Sequence, residues 1–153
     1  MTFSPSSQLR WLYVDLNCYF ASVEQQLNKA LQGKPIAVVP MKTDSTCAIA
    51  ASREAKKYGV KTGTMIREAK RLCKDLILVE ARHDRYVDFH HRIVQEIERH
   101  YPIHIIGSID EVACRLDARH AHEATARDLA HRIKRGLHKN MGECITCSIG
   151  IAP

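Results

Sequence analysis

Two adjacent acidic residues, Asp110 and Glu111, follow an apolar run over residues 103–109 and constrain the fold more than any other feature. Neighbouring residues on a regular strand point to opposite faces, so both carboxylates can converge only if the chain turns here. Gly107 and Ser108 favour such a turn. Carboxylates held together raise each other's pKa unless a cation neutralises them, and oxygen ligands prefer Mg²⁺ to zinc. The alternative is an acidic hairpin tip that faces water and binds nothing. For an isolated Asp-Glu pair, this alternative is the favoured interpretation.

A third carboxylate lies near the end of the first predicted strand. Residues 11–16 are β-forming and apolar on both faces, which predicts a buried central strand carrying Asp15. Burying Asp15 without a partner would cost free energy. The strand therefore predicts a partner for this carboxylate.

A helix is predicted directly after this strand, with Asn17 as its N-cap. Its inner face is expected to consist of Phe20, Val23, Leu27, Ala30 and Leu31, with Glu24, Gln25 and Gln26 outside. The backbone N–H groups of Cys18, Tyr19 and Phe20 would then lie at a helix N-terminus, which attracts anions. A helix N-terminus that follows a metal-binding carboxylate suits a metal-bound phosphate.

Composition predicts a globular protein with a cytoplasmic location. The content of 45% hydrophobic and 26% charged residues is typical of a globular protein. The length of 153 residues indicates one domain, or one domain with a modest insertion. No apolar run approaches the roughly 20 residues of a membrane span. Residues 1–7 are expected to be a flexible lead and not a signal peptide. The six cysteines are expected to be free thiols, and the C-x-x-C over residues 144–147 should point its sulfurs to opposite faces and not bind zinc.

The net charge of +6 is concentrated in the middle of the chain. The basic residues of this section are Arg53, Lys56, Lys57, Lys61, Arg67, Lys70, Arg71 and Lys74. Such a section favours a polyanionic partner, such as nucleic acid or a triphosphate, although a solvated lysine-rich face is the alternative. Residues 40–81 are therefore predicted to be a small inserted basic subdomain, in which Ser52 caps a short helix over residues 53–58.

The remaining pattern predicts an α+β fold. Helices are expected from residue 84 to before Pro102 and over residues 118–138, with strands on either side of the acidic turn and over residues 143–151. The inner face of the second of these helices is expected to contain Ala126, Leu129, Ala130, Ile133 and Leu137. Without the insertion, this order is typical of a split βαβ unit, in which helices cover one side of an antiparallel sheet.

Five ordered blocks resemble the Y-family DNA polymerases, the DinB/UmuC type of translesion polymerase. They cover residues 14–25, 33–35, 54–63, 108–111 and 147–152, so the similarity extends over nearly the whole chain from residue 12. The resemblance implies a ferredoxin-like palm in two parts, residues 11–39 and 82–153, with fingers at residues 40–81 and a flexible lead at residues 1–10. It implies translesion synthesis in DNA repair and SOS mutagenesis.

The resemblance also implies the roles of individual residues. Asp15, Asp110 and Glu111 match the catalytic metal ligands, and the backbone carbonyl of Leu16 matches a fourth, for two Mg²⁺ ions. Phe20 matches the steric gate that excludes a 2′-hydroxyl, although from helical spacing alone it would be a core residue. The implied contacts with the nucleotide phosphates are the amides of Cys18, Tyr19 and Phe20 and the side chains of Arg53 and Lys56. The implied substrates are primer-template DNA and a dNTP.

The sequence departs from the family pattern in several places. The two finger positions are often tyrosine and arginine, whereas here they are Arg53 and Lys56, which moves the guanidinium by a helical turn. The thumb and little-finger domains have no counterpart, so a catalytic-core fragment with weak or absent primer extension is expected, and a sliding clamp or repair proteins would bind through those absent domains.

Other functions are compatible with parts of this pattern. A non-catalytic Y-family-like accessory protein in DNA repair is the main alternative, but such relatives have lost the metal carboxylates that are present here. A palm-type nucleotide cyclase is disfavoured by the basic insertion and Phe20, and a purely structural ferredoxin-like module leaves Asp15 unexplained.

Overall fold

The computed structural model describes residues 8–153, so the predicted flexible lead over residues 1–7 lies outside the described residues. Within residues 8–153 the strands are β1 (Trp11–Leu16), β2 (Ile36–Val39), β3 (Ala50–Ala51), β4 (Ile77–Glu80), β5 (Ile105–Ser108), β6 (Glu111–Arg115) and β7 (Cys147–Ala152). The α-helices are α1 (Tyr19–Leu27), α2 (Arg53–Lys56), α3 (Ile66–Leu72), α4 (His83–Glu98) and α5 (Glu123–Met141). The described residues divide into two compact units: the first comprises residues 8–16 and Phe89–Pro153, and the second is Asn17–Asp88.

The first unit contains a four-stranded antiparallel sheet with the strand order β5-β6-β1-β7. Strand β1 is central and pairs with β6 on one side and with β7 on the other. Helix α5 contacts β7, and its predicted inner residues Leu129, Ile133 and Leu137 are buried. This strand order, with helices between the strands in sequence, is that of a ferredoxin-like fold and confirms the predicted α+β class.

Only one face of β1 is buried, contrary to the sequence-based prediction. Leu12 and Val14 are fully buried, whereas Tyr13 and Asp15 are exposed. On the open face, the guanidinium of Arg115 lies 5.9 Å from the centre of the Trp11 ring. The predicted burial of Asp15 is therefore wrong. Strand β1 has apolar residues on both faces, but only the face with Leu12 and Val14 packs in the core.

Strand β5 is an edge strand and is shorter than the predicted strand over residues 103–109. Its isoleucines, Ile105 and Ile106, are half exposed. The apolar run thus leads to the acidic turn along the margin of the sheet and does not contribute a central core strand.

Helices α4 and α5 approach closely in the first unit at Gly136. A Cβ atom on Gly136 would lie 2.5 Å from His100 Nε2 and 2.6 Å from Glu96 Oε1. The buried Glu96 carboxylate accepts a hydrogen bond of 2.9 Å from Asn140 Nδ2 and lies 3.1 Å from His100 Nε2. A glycine within α5 is therefore required by the space that these polar side chains occupy.

The second unit contains a three-stranded sheet in which β2 pairs with β3 antiparallel and with β4 parallel. Strand β2 lies at the end of residues 11–39, the segment expected to form the first part of the palm together with β1. In the structure it pairs in this second sheet. Ser52 caps α2 as predicted: its Oγ accepts hydrogen bonds from Ala55 N and, at 2.9 Å, from Ile36 N. One serine thereby fixes α2 to β2.

Helix α1 presents a different face to the core of the second unit than predicted. Glu24 and Gln25, expected outside, are buried, whereas Leu27 is about half exposed. Glu24 receives hydrogen bonds from the Arg82 guanidinium at 2.7 and 2.9 Å, which compensates the burial of its charge. The prediction from apolar spacing was therefore wrong here, because polar residues with partners occupy the inner face.

No helix described over residues 8–153 has the length and apolar character required to cross a bilayer.

Candidate functional site

The predicted carboxylates Asp15, Asp110 and Glu111 converge at one end of the first unit's sheet. Asp15 is near the end of β1 and pairs with Glu111, the first residue of β6, in the antiparallel register. The chain turns between β5 and β6 as predicted, but Ile109 and Asp110 form this turn, whereas Gly107 and Ser108, which were expected to favour it, belong to β5. One ligand atom from each carboxylate lies within 4.8 Å of the others, so the three could share a metal ion.

Backbone and side-chain contacts hold the acidic turn in place. Leu16 N donates a hydrogen bond of 2.9 Å to Asp110 O, which joins the end of β1 to the turn. Ser108 Oγ donates one of 2.8 Å to Asp110 Oδ1, and His90 Nδ1 lies 2.8 Å from Ile109 O. The carboxylates are therefore presented by a restrained turn and not by a free loop.

Tyr13 lies on the same open face of the sheet as the carboxylates. Its hydroxyl donates a hydrogen bond of 3.0 Å to Glu111 Oε2. This bond, together with some desolvation and the nearby negative charges of Glu111, Asp15 and Asp110, raises the pKa of the Tyr13 phenol. Sequence reasoning missed Tyr13 as a site residue, although its position two residues before Asp15 on a strand indicates a shared face.

This donor set suits a hard divalent cation. All three side chains offer carboxylate oxygens, which favours Mg²⁺ over the softer transition metals. Among residues 8–153, these three carboxylates form the one cluster of three or more His, Cys, Asp or Glu side chains whose ligand atoms are close enough to share a metal ion. Cys144 and Cys147 form no disulfide and do not belong to this group.

In the second unit, the first turn of α1 contains the residues that were expected to bind phosphate. The helix begins at Tyr19, and its N-cap is Cys18, in a left-handed conformation with φ 46°, and not the predicted Asn17. The Asn17 carbonyl instead accepts a hydrogen bond of 2.8 Å from Ser22 Oγ. A non-glycine residue with positive φ is strained, and such residues are concentrated at functional sites.

Phe20 is only partly buried, and its ring stacks on the buried ring of Tyr86. The ring centres are 4.3 Å apart and the planes differ by 13°. His83 contacts the Phe20 ring edge-on at 5.7 Å. Phe20 is thus supported from one side, and it does not belong to the buried residues of α1.

Arg53 and Lys56, the predicted finger contacts, lie at the two ends of the short helix α2. Both side chains are exposed, while Ala55 between them is buried against the core of the second unit. The helix ends at Lys56 and not at the predicted residue 58, and Gly59 follows with φ 91°. Both cations are therefore exposed on one short, capped helix.

Comparison with known proteins identifies the family. The impB/mucB/samB family profile matches residues 14–153. The chain belongs to this family. It is 38% identical over 152 residues to DNA polymerase IV of Moorella thermoacetica, an alignment that covers 97% of this chain and 37% of that protein. Solved structures agree with this assignment and confirm the resemblance to Y-family polymerases.

Two of these structures are similar over 94% of this chain. A Y-family DNA polymerase chimera of Dbh and Dpo4 has a TM-score of 0.85 at 30% identity, and an insertion ternary complex of Dbh DNA polymerase has a TM-score of 0.82 at 31% identity. The match covers 42% of each of those chains. This member of the family therefore spans less than half of the relatives that it matches.

Proposed function

We propose that this chain is the palm and fingers part of a template-directed DNA polymerase of the translesion type. Its substrates would be primer-template DNA and a dNTP, and the reaction would transfer a nucleotide to the primer 3′-hydroxyl. The observation that carries the proposal is the convergence of Asp15, Asp110 and Glu111 within 4.8 Å on a ferredoxin-like sheet. The predicted boundaries belong to the proposal, with the fingers at residues 40–81 and the palm at residues 11–39 and 82–153.

The three carboxylates would hold Mg²⁺, with the backbone carbonyl of Leu16 as a further ligand. When bound, two Mg²⁺ ions would activate the 3′-hydroxyl and neutralise charge on the triphosphate. The residues of the chain present a compact anionic site on a rigid turn, and that turn is held through the hydrogen bond from Leu16 N to Asp110 O. Fixed geometry of this kind lowers the reorganisation needed during reaction.

Residues of the second unit would bind the nucleotide. The amides of Cys18, Tyr19 and Phe20 lie at the start of α1, where the helix dipole favours phosphate oxygens. Arg53 and Lys56 are exposed cations that would contact the triphosphate. Phe20, supported by Tyr86, would act as the steric gate against a 2′-hydroxyl.

The relatives' names, which include DNA polymerase IV and an insertion ternary complex of Dbh DNA polymerase, support DNA synthesis as the proposed activity, and we propose DNA repair as its biological setting. We place a role in SOS mutagenesis, a cytoplasmic location and recruitment by a sliding clamp or repair proteins within the same proposal. The alternative of a non-catalytic accessory protein is disfavoured by the presence of all three carboxylates.

The test is Mg²⁺-dependent binding of dATP to the 153-residue chain, measured by titration calorimetry. Asp110→Asn removes a charge from the carboxylate cluster, and Asp75→Asn removes an exposed aspartate from another part of the chain. Loss of a group that only hydrogen-bonds to a metal ligand typically weakens metal binding by roughly 10-fold or more. Asp110 is itself a proposed ligand, so we expect Asp110→Asn to weaken dATP binding by more than this. Asp75→Asn should bind like the wild type.

The sugar preference tests Phe20. The wild type should bind dATP more tightly than ATP, and Phe20→Ala should reduce this difference, since the space below the sugar would open. Primer extension by these 153 residues is expected to be weak or absent, because the chain spans 37% of the Moorella protein. Binding that is independent of Mg²⁺, or that survives Asp110→Asn unchanged, would contradict the proposed site.

A further inference from the structure

Tyr13 and Glu111 are diagonal neighbours on the open face of the sheet. In the antiparallel register, Tyr13 pairs with Ala113 and Asp15 pairs with Glu111. Alternate residues of a strand share a face, so Tyr13 lies on the face of the carboxylates, one step further from the turn. Its hydroxyl is 3.0 Å from Glu111 Oε2.

We propose that Tyr13 is a positioning residue for the metal site, in which its hydroxyl fixes the orientation of the Glu111 carboxylate. This inference rests on the proposed function, because it assigns a role at the same carboxylate cluster. With this hydrogen bond in place, ligand atoms of Asp15, Asp110 and Glu111 lie within 4.8 Å of one another. The bond thus accompanies the arrangement that a cation requires.

Glu111 needs such a restraint because three negative charges meet at this end of the sheet. Like charges repel, and a glutamate side chain has several rotatable bonds with which it can turn away into water. A hydrogen bond from Tyr13 opposes this movement, because the phenol is rigid and is attached to the central strand β1. Groups that bind a ligating carboxylate from outside usually strengthen metal binding by orienting it.

Tyr13 acts differently from the other groups that restrain the turn. Ser108 donates to Asp110 from within the same turn, so it shapes the turn locally. Tyr13 donates from β1, the strand that also contains Asp15, and therefore ties Glu111 to the third carboxylate. Tyr13 is half exposed, and removal of its hydroxyl leaves the buried core intact.

The test is Mn²⁺ binding to the 153-residue chain, measured from the loss of the free-ion electron paramagnetic resonance signal. Tyr13→Phe removes only the hydroxyl, and Tyr58→Phe is the matched control at an exposed tyrosine of the second unit. We expect Tyr13→Phe to weaken Mn²⁺ binding by about 10-fold and Tyr58→Phe to leave it unchanged. Thermal unfolding without metal should be similar in all three proteins.

A second readout separates positioning from a general structural effect. Mn²⁺ that binds Glu111 should perturb the near-ultraviolet absorbance of the Tyr13 phenol in the wild type and in Tyr58→Phe, and this difference spectrum should be absent in Tyr13→Phe. Equal Mn²⁺ affinity of Tyr13→Phe and wild type would overturn the role of Tyr13 alone. A wild-type chain that does not bind Mn²⁺ at all would overturn both this role and the metal site of the proposed function.

Discussion

Replacing Arg82 by methionine should destabilise the second unit more than replacing its partner Glu24 by glutamine. The two residues form an ion pair with an N–O distance of 2.7 Å, but they are buried to different extents. The Glu24 side chain is 1% exposed and the Arg82 side chain is 46% exposed. The half-exposed guanidinium can be rehydrated when Glu24 is neutralised, whereas the Glu24 carboxylate has no access to water when Arg82 is removed.

The expected magnitudes follow from this asymmetry. Arg82→Met leaves a buried charge without compensation, which costs about 3–5 kcal/mol of unfolding free energy. Glu24→Gln keeps the shape and one acceptor oxygen and loses part of the charge-assisted hydrogen bonding, which costs about 1–2 kcal/mol. The second variant costs less because the exposed part of Arg82 is already screened by water.

Urea unfolding followed by far-ultraviolet circular dichroism measures both free energies. Fluorescence of Trp11, the single tryptophan, reports on the first unit and shows whether that unit is affected separately. Arg85→Met is the matched control, because Arg85 follows Arg82 by three residues, in helix α4, and its side chain is 57% exposed and 4.0 Å from the exposed carboxylate of Asp84. This control should change stability by less than about 0.5 kcal/mol.

The reasoning would be refuted if Glu24→Gln destabilised the protein as much as Arg82→Met. That result would mean that the pair is stabilised mainly by charge attraction, with no contribution from the difference in burial. A loss of stability in Arg85→Met equal to that in Arg82→Met would instead show that the loss of any positive charge in this region is sufficient and that the pair with Glu24 is not the cause.

Two further predictions concern the first unit. Gly136→Ala should lower the unfolding free energy by about 1–3 kcal/mol despite the higher helix propensity of alanine, because the added methyl group would overlap side chains of α4. Gly150→Ala, where a Cβ atom would meet nothing within 4 Å, should be nearly neutral in the same urea titration. Burial raises the pKa of the Cys114 thiol from 9.0 to about 11, so its contribution to stability is complete below pH 9.0 and is lost as the pH rises towards 11. Cys114→Ala should therefore show a shallower loss of stability over this range, and an unchanged pH profile would contradict this assignment.

The acidic pair of the candidate site could be identified from the sequence because Asp110 and Glu111 are adjacent in the chain. The two adjacent carboxylates predicted a turn at Asp110, although Gly107 and Ser108 belong to β5, and the helical spacing in α5 identified buried residues of that helix. Family motifs then linked Asp15 to the acidic pair. These features depend on the order of a few neighbouring residues, so the sequence contains them directly.

The errors concern which face of an element is covered. The alternating pattern of β1 did not reveal that Asp15 is exposed, and the apolar spacing of α1 did not reveal that Glu24 is buried. Periodicity gives the residues that share a face, but the burial of a face depends on what packs against it. A buried charge also needs a partner, and Arg82 is 58 residues away in the chain.

The sequence by itself therefore determined the strand and helix types, the acidic turn and the family. The tertiary structure decided that β2 pairs in the second sheet, that Gly136 lies against side chains at His100 and Glu96, and that the Tyr13 hydroxyl donates a hydrogen bond to Glu111. The physical reason is that strand pairing, helix contact and cross-strand hydrogen bonds join residues that are distant in the chain, and their energies depend on distances that no local pattern specifies.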